Sequence, residues 1–456
     1  MLKRLSAPSD LTKGTPWKGI LWFTLPMIIG NVAQQLYSTV DSVVVGRYIG
    51  DNALAAVGSA MPILNMLLVL FIGISAGVNI MVSQYFGAQN RKSLSYTIGN
   101  GITVTAIACV ILIVVAAPLI RPALTMLNTP VAIIDDCADY LMVSVIGIAG
   151  MAYYNILSGI IRGMGDSFSV LIYLLVATVI NIVLDIYFVA VIKMGVLGVA
   201  LATVIAQGIS SALCLIKLAK MNEYFDFGWG YLKPVLQYVK TIIKLGLPSG
   251  LTQAIFSSAM IVVQSLTNQF GEQFIAANVV IMRVDGFAMM PNFSFGMALT
   301  TYAGQNVGAK LYERVEQGAK QGTLLAVLFS AVITGIILLF GKALMGIFTE
   351  TQALVDLSYK LMKLLAVGYI AVAVTQSLSG IMRGAGDTVT PMWISLITTV
   401  LVRVPVAYGI SFLTRTPELP FGRQECIQIS LLFSWVLGAV ITAIFYRFGK
   451  WKDKAI

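Results

Sequence analysis

Apolar residues run along the chain in blocks of about twenty or more, each ended by a short polar or glycine-containing turn. A helix of that length spans a hydrocarbon layer at about 1.5 Å per residue. Set against the turn signals, the blocks predict helices near 18–45, 52–82, 96–118, 133–160, 168–191 and 196–220. A second set is predicted near 243–269, 273–303, 318–341, 356–381, 389–413 and 426–448. The expected fold class is therefore an all-α polytopic membrane protein with about twelve transmembrane helices. Met221 to Lys240 is the longest polar and aromatic stretch and reads as a linker with a surface-lying amphipathic piece. It divides the chain into an amino-terminal lobe (1–220), a cytoplasmic linker (221–242) and a carboxyl-terminal lobe (243–456).

The two halves repeat. Ser158–Ser167 reads SGIIRGMGDS and Ser379–Thr388 reads SGIMRGAGDT, 221 residues further on. The same offset links Gln84–Ala88 (QYFGA) with Gln305–Ala309 (QNVGA) and Gly50 with Gly271, while Leu25-Pro26 and Leu247-Pro248 differ by 222. So constant an offset points to an internal duplication. An even number of spans per half keeps both copies in one orientation, which predicts two six-helix lobes related by a pseudo-twofold axis along the membrane normal.

Composition narrows the function. Hydrophobic residues make up 58% of the chain and charged ones 11%, against roughly 25% in soluble domains, so no sizeable soluble domain fits. Histidine is absent, which removes histidine zinc sites, Ser/His and Cys/His nucleophile pairs and histidine proton relays. Cys109, Cys137, Cys214 and Cys426 lack metal or redox spacing and read as packing residues. No enzyme chemistry is visible, no metal site is expected, and any proton work falls to carboxylates. Lys3, Arg4, Lys13 and Lys18 resemble the start of a signal peptide, but Leu21 onward continues into a full span, which predicts an uncleaved first helix. The net charge of +10 is concentrated in alternate connections, including Arg91, Lys92, Lys217, Lys220, Arg314 and Arg447. That pattern predicts both termini in the cytoplasm and contact with lipid headgroups; nucleic acid is not an expected partner.

The RGxGD segments fall in short turns, where glycine permits positive φ and Asp166 or Asp387 can cap the next helix. A phosphate loop is excluded, since the chain has no G-x-x-x-x-G-K-[ST], so any pumping is secondary. Acids at membrane depth are the sharper signal, because an isolated charge there is costly. Gln34, Tyr37 and Asp41 form one polar stripe on the first helix; Asn181 and Asp185, four apart, share a face of the fifth. If these faces meet, two carboxylates, an amide and a phenol enclose a site for a proton or small cation. Pro26 offers a bending point in the first helix. The second copy has Val262, Val402 and Val406 at the positions equivalent to Asp41, Asn181 and Asp185. Its ionisable residues at depth are Arg283, Asp285 and Arg403; Arg283 reads as structural, and Asp285 as either structural or a cavity acid.

The segment DSVVVGRYIG from Asp41, the QYFGAQN loop, the RGxGD turns and NIVLDIYF from Asn181 resemble the multidrug and toxic compound extrusion (MATE) transporters over essentially the whole chain. The resemblance implies two six-helix bundles around a central cavity in the cell (inner) membrane, exporting organic cations in exchange for protons, with sodium as the alternative. It implies that Asp41, Asn181, Asp185 and Thr203 form a proton or cation cluster, with Tyr37 and Asn155 as cavity neighbours beside Gln34 and Asp285. Leu251–Thr267 and Leu364–Met382 lack the acids carried there by sodium-coupled members of one branch, which favours coupling through the amino-terminal lobe. No cofactor beyond the coupling ion is expected, and a monomer is the expected form. A lipid or lipid-linked glycan flippase of the same superfamily is the alternative, although it would be expected to carry several cavity arginines where only Arg283 and Arg403 are available.

Overall fold

The computed structural model describes residues 8–127 and 129–456; Lys3 and Arg4 of the charge pattern lie outside them. The chain forms helical rods in this order: α1 (Pro16–Tyr48), α2 (Asp51–Gly87), α3 (Arg91–Met126), α4 (Val131–Ile146 and Ile148–Gly163), α5 (Ser167–Ile186, continued by a π-helical turn Tyr187–Val191) and α6 (Val196–Ala219). The second set is α7 (Leu236–Thr267), α8 (Glu272–Gly308), α9 (Tyr312–Gly346), α10 (Gln352–Ala366 and Gly368–Gly384), α11 (Val389–Leu413, with a π-helical stretch Ile397–Val402) and α12 (Cys426–Phe448). Among the described residues nine helices are long and apolar enough to cross a membrane, ten if the halves of α10 count as one bent span. Several helices outrun the apolar runs that announced them. In α2, α3 and α9 polar turns such as Arg91–Ser95 and Tyr312–Glu316 extend the rod past its membrane-length core.

The structure breaks two rods that the pattern predicted as continuous. α4 stops and restarts at Gly147, where an added Cβ would lie 2.3 Å from Val204 Cγ1 of α6. The equivalent Gly368 in α10 meets Trp435 of α12, its Cβ position 2.6 Å from the ring, and the two halves of α10 bend by 44°. A missing side chain at each break lets the neighbouring helix approach closely, as small residues do throughout membrane bundles.

The chain divides into two units. One contains Leu25–Gly250 with residues 8–10; the other contains Leu11–Thr24 and Leu251–Ile456. Both divisions fall inside a helix beside a proline, at Pro26 in α1 and Pro248 in α7. Proline has no N–H to give the preceding turn, so each helix has a locally weakened ladder where it passes from one unit to the other.

In the first unit, Gly159 and Gly163 of α4 let that helix ride on α2, where Ser75 Oγ donates to the Asn155 carbonyl at 2.7 Å and Asn79 Nδ2 to the Gly159 carbonyl at 2.8 Å. Gly73 and Gly77 of α2 likewise admit the backbone of Ile242 and Gly246 from α7. The segment before α7 is pinned along α3. Arg91 pairs with Asp226 at 2.8 Å and donates to the Asn222 carbonyl at 2.7 Å, and Asn100 Oδ1 accepts from Val235 N–H at 2.7 Å. The Arg91 hydrogen bonds hold the Asp226 carboxyl below its usual range, so this clip stays charged at physiological pH.

The second unit builds the same joints from the other copy. Gly380 and Gly384 of α10 lie against Gly296 and Thr300 of α8. The segment before α1 is pinned by Arg314, which donates to the carbonyls of Gly14 at 3.0 Å and Leu11 at 3.3 Å, while Gln305 Oε1 accepts from Leu11 N–H at 2.9 Å.

Both RGxGD turns are cap-and-turn structures. Gly165 and Gly386 have φ of 91° and 101°. Asp166 accepts from Ser169 N–H at 2.9 Å and Ser169 Oγ–H at 2.7 Å; Asp387 accepts from Thr390 N–H at 3.2 Å and Thr390 Oγ1–H at 2.7 Å. The buried Asp166 also pairs with Lys217 at 3.0 Å, whereas Asp387 makes no ion pair among the described residues. Replacing Asp166 by Ala should therefore cost more than replacing Asp387 by Ala. Loss of either cap costs about 0.5–2 kcal/mol, and only the first also removes an ion pair, to a lysine that is largely buried. Thermal unfolding of the two purified variants checks the order; equal losses would show that Lys217 contributes nothing.

Candidate functional site

Polar groups at membrane depth converge in the first unit. Asp41 comes from the carboxyl-terminal part of α1, about two turns before its end, Asn181 and Asp185 from one face of α5, Thr203 from near the start of α6. Asn181 and Asp185 are fully buried and Thr203 is nearly so. The Asn181 amide satisfies its surroundings when its nitrogen faces the acids. It then donates to Asp185 Oδ2 at 2.9 Å and Asp41 Oδ1 at 3.0 Å, and its oxygen accepts from Tyr37 O–H at 3.3 Å and Thr203 N–H at 3.2 Å. Tyr37 and Thr203 close the ring through their hydroxyls, 3.1 Å apart.

The two carboxyl groups interact directly across the amide, and Asp185 Oδ1 has no hydrogen-bond partner. Two carboxylate oxygens cannot hydrogen-bond to each other without a proton between them, and like charges at that range titrate as a pair. The arrangement can therefore take up one proton, or hold a small cation in its place. α5 passes into a π-helical turn directly after this point, at Tyr187–Val191. Wide turns of this kind recur at functional sites in helices.

The other expected residues are placed differently. Gln34, one turn before Tyr37, is exposed and makes no hydrogen bond among the described residues. Asn155 turns back on its own helix, donating to the Met151 carbonyl at 2.8 Å. Tyr37 joins the cluster itself, as the phenol of the polar stripe on α1. Tyr140 of α4, nearly buried, lies close to both acids and had no individual signal, because it sits in a segment dominated by Asp135, Asp136 and Asp139.

In the second unit Asp285 is joined by the Tyr369 hydroxyl, which donates to its Oδ1 at 2.8 Å. It lines a pocket with Arg403 and Gln428 and has no acidic partner there. Arg283 is exposed and unpaired among the described residues, whereas Arg403 is 5% exposed and turned inward. All four cysteines are free and buried.

Two repeated helical units, most of their helices of membrane-crossing length and, among the described residues, with an acid pair in only one of them, define a multi-pass membrane protein of the transporter class. A family pattern, MatE, matches residues 26–187 and again residues 248–409, one match for each copy of the repeat. The chain belongs to the MatE family, the multidrug and toxic compound extrusion transporters. It is 29% identical to the probable multidrug resistance protein YoeA of Bacillus subtilis (strain 168), over 98% of this chain and 96% of that one. It is 26% identical to the probable multidrug resistance protein NorM of Thermotoga maritima, over 96% and 94%. The fold matches a crystal structure of a MATE protein in complex with MaL6, with a TM-score of 0.89 at 23% identity, covering 96% of this chain and 97% of that one.

Proposed function

We propose that the protein is a multidrug efflux transporter of the cell (inner) membrane, both termini cytoplasmic, which exports organic cations in exchange for protons. The relatives' printed names, multidrug resistance proteins, support the class of activity. The observation that carries the coupling is the meeting of Asp41 and Asp185 around the Asn181 amide, with no equivalent acid pair among the described residues of the second unit.

The chemistry is a competition for one negative site. Open to the cytoplasm and deprotonated, the pair attracts a cation. Open to the outside, it takes a proton, its charge falls, and the hold on the cation weakens. Asn181 keeps the two acids in register through both states, and Tyr37 and Thr203 fix the orientation of the amide. Only ligands that compete for the same charge are exchanged, since a ligand can shift the equilibrium only by its differential affinity. Alternating access supplies the two openings.

Efflux of a fluorescent monovalent cation from loaded proteoliposomes, under an imposed proton gradient or an imposed sodium gradient, tests the reading. A proton gradient alone should drive uphill movement. Movement driven by sodium alone would replace the proton by sodium at this site. Organic cations should displace the labelled substrate in preference to anions, and preferential displacement by simple anions would overturn the substrate class.

A further inference from the structure

A second polar site lies wholly inside the second unit. It is a cavity of about 70 Å³ with apolar walls that include Met260, Met282, Leu365 and Leu431, and with Arg403, Gln428, Asn278 and Asp285 as its polar lining. That volume holds a few non-hydrogen atoms.

Its polar groups are poorly matched to one another. Arg403 is 5% exposed, yet its terminal nitrogens meet only the Met260 sulfur, at 3.8 and 3.9 Å, and its Nε has no partner. Gln428 is 1% exposed and its Oε1 has no partner, while its Nε2 reaches Asn278 Oδ1 at 3.4 Å. Asp285 accepts from Tyr369 and acts on Arg403 through space, without a contact ion pair among the described residues. A buried guanidinium that hydrogen-bonds only a thioether, with its neighbouring carboxylate acting through space and not in contact, is costly, and such a group persists with a partner or a purpose.

The local backbone presents it deliberately. α11 widens into a π-helical stretch over Ile397–Val402, and Pro405, two residues after Arg403, cannot donate to the preceding turn. Arg403 emerges from the end of that widened stretch.

The geometry points to a binding site for a small aminocarboxylate: the carboxylate on the planar fork of Arg403, the ammonium on Asp285 with Gln428 Oε1 as a further acceptor, and the short carbon chain against the methionines and leucines. A simple anion would leave Asp285 unanswered, and a simple amine would leave Arg403 unanswered. The carboxylate fits the guanidinium better than a spherical ion because it can accept two parallel N–H bonds. The site stands apart from the acid pair of the first unit and adds a ligand class that carries a negative group, which that pair alone would repel.

Thermal unfolding of the full-length protein in lipid nanodiscs tests this with glycine, β-alanine and γ-aminobutyrate as probes, against propionate, n-propylamine and sodium chloride at equal ionic strength. At least one aminocarboxylate should raise the melting temperature where neither single-charge analogue does. The shift should vanish in Arg403→Met, which keeps the side chain's length beside Met260, and in Asp285→Asn. Arg403→Lys should weaken binding at least about tenfold, since it keeps the charge and loses the fork. Asp41→Asn should leave the shift unchanged, which separates this site from the coupling site. Equal stabilisation by propionate or chloride, survival of the shift in well-folded Arg403→Met, or no shift with any aminocarboxylate overturns the assignment.

Discussion

Replacing Asp41 by Asn should abolish pH-driven efflux and leave the fold intact. The amide oxygen can still accept from Asn181, which now donates to Asp41 at 3.0 Å and Asp185 at 2.9 Å, so the ring of hydrogen bonds survives. What is lost is the second ionisable oxygen that lets the pair bind a proton and release it again. For one proton against one monovalent cation no net charge moves, and only the pH difference drives the cycle, at about 1.4 kcal/mol or about tenfold accumulation per unit. The variant should reach no accumulation at any imposed pH difference. Its stability should not fall, because the exchange removes a charge that was costly to bury. A monodisperse variant that still builds a proton-dependent gradient at the normal rate would show that Asp41 does not carry the coupling.

The second large effect is expected at the joint between α8 and α10. A Cβ on Gly380 would stand 2.3 Å from the Gly296 carbonyl oxygen and 3.2 Å from its Cα, so both obstacles are backbone and neither helix can yield by rotating a side chain. Gly380→Val should cost at least about 3 kcal/mol, the upper end for overpacking, and should show as low yield or a strongly lowered melting temperature. Gly438→Ala in α12 is the contrast, since its Cβ would find ordinary contacts, 3.7 Å from Thr375 Oγ1 and 3.8 Å from Thr398 Cγ2. That change should be neutral or stabilise by up to about 1 kcal/mol through helix propensity. Similar stability of the two variants would show that the close approach at Gly380 is not a constraint.

The parts of this architecture that were legible in the sequence are those written as departures from apolar background. Asp41, Asn181 and Asp185 stand out because a polar residue in an apolar run has few reasons to be there. Thr203 did not stand out, since a threonine satisfies itself on its own helix; only the family resemblance pointed to it. Burial of Arg403 was likewise hidden: hydropathy gives depth along the membrane normal, and whether a side chain faces lipid or the bundle depends on neighbours that a single run does not encode. The breaks at Gly147 and near Val367 escaped because a lone glycine inside a helical pattern is usually tolerated. Met221–Lys240 announced itself as a connection by its polarity, but its Arg91 clip needed the fold to be seen.

The paired crossings at Pro26 and Pro248 bear on whether either half of the chain can fold alone. Each unit takes the opening turns of its neighbour's first helix: Leu11–Thr24 of the first sequence repeat completes the second unit, and the chain up to Gly250 completes the first. A protein made of one repeat could obtain that segment only from another molecule. Neither half of this chain therefore holds every segment of one unit, and each half lacks turns that the other supplies. Fragments 1–228 and 229–456 expressed alone should each fail to fold, and should assemble when made together. A single fragment that folds and remains monomeric would remove the inference.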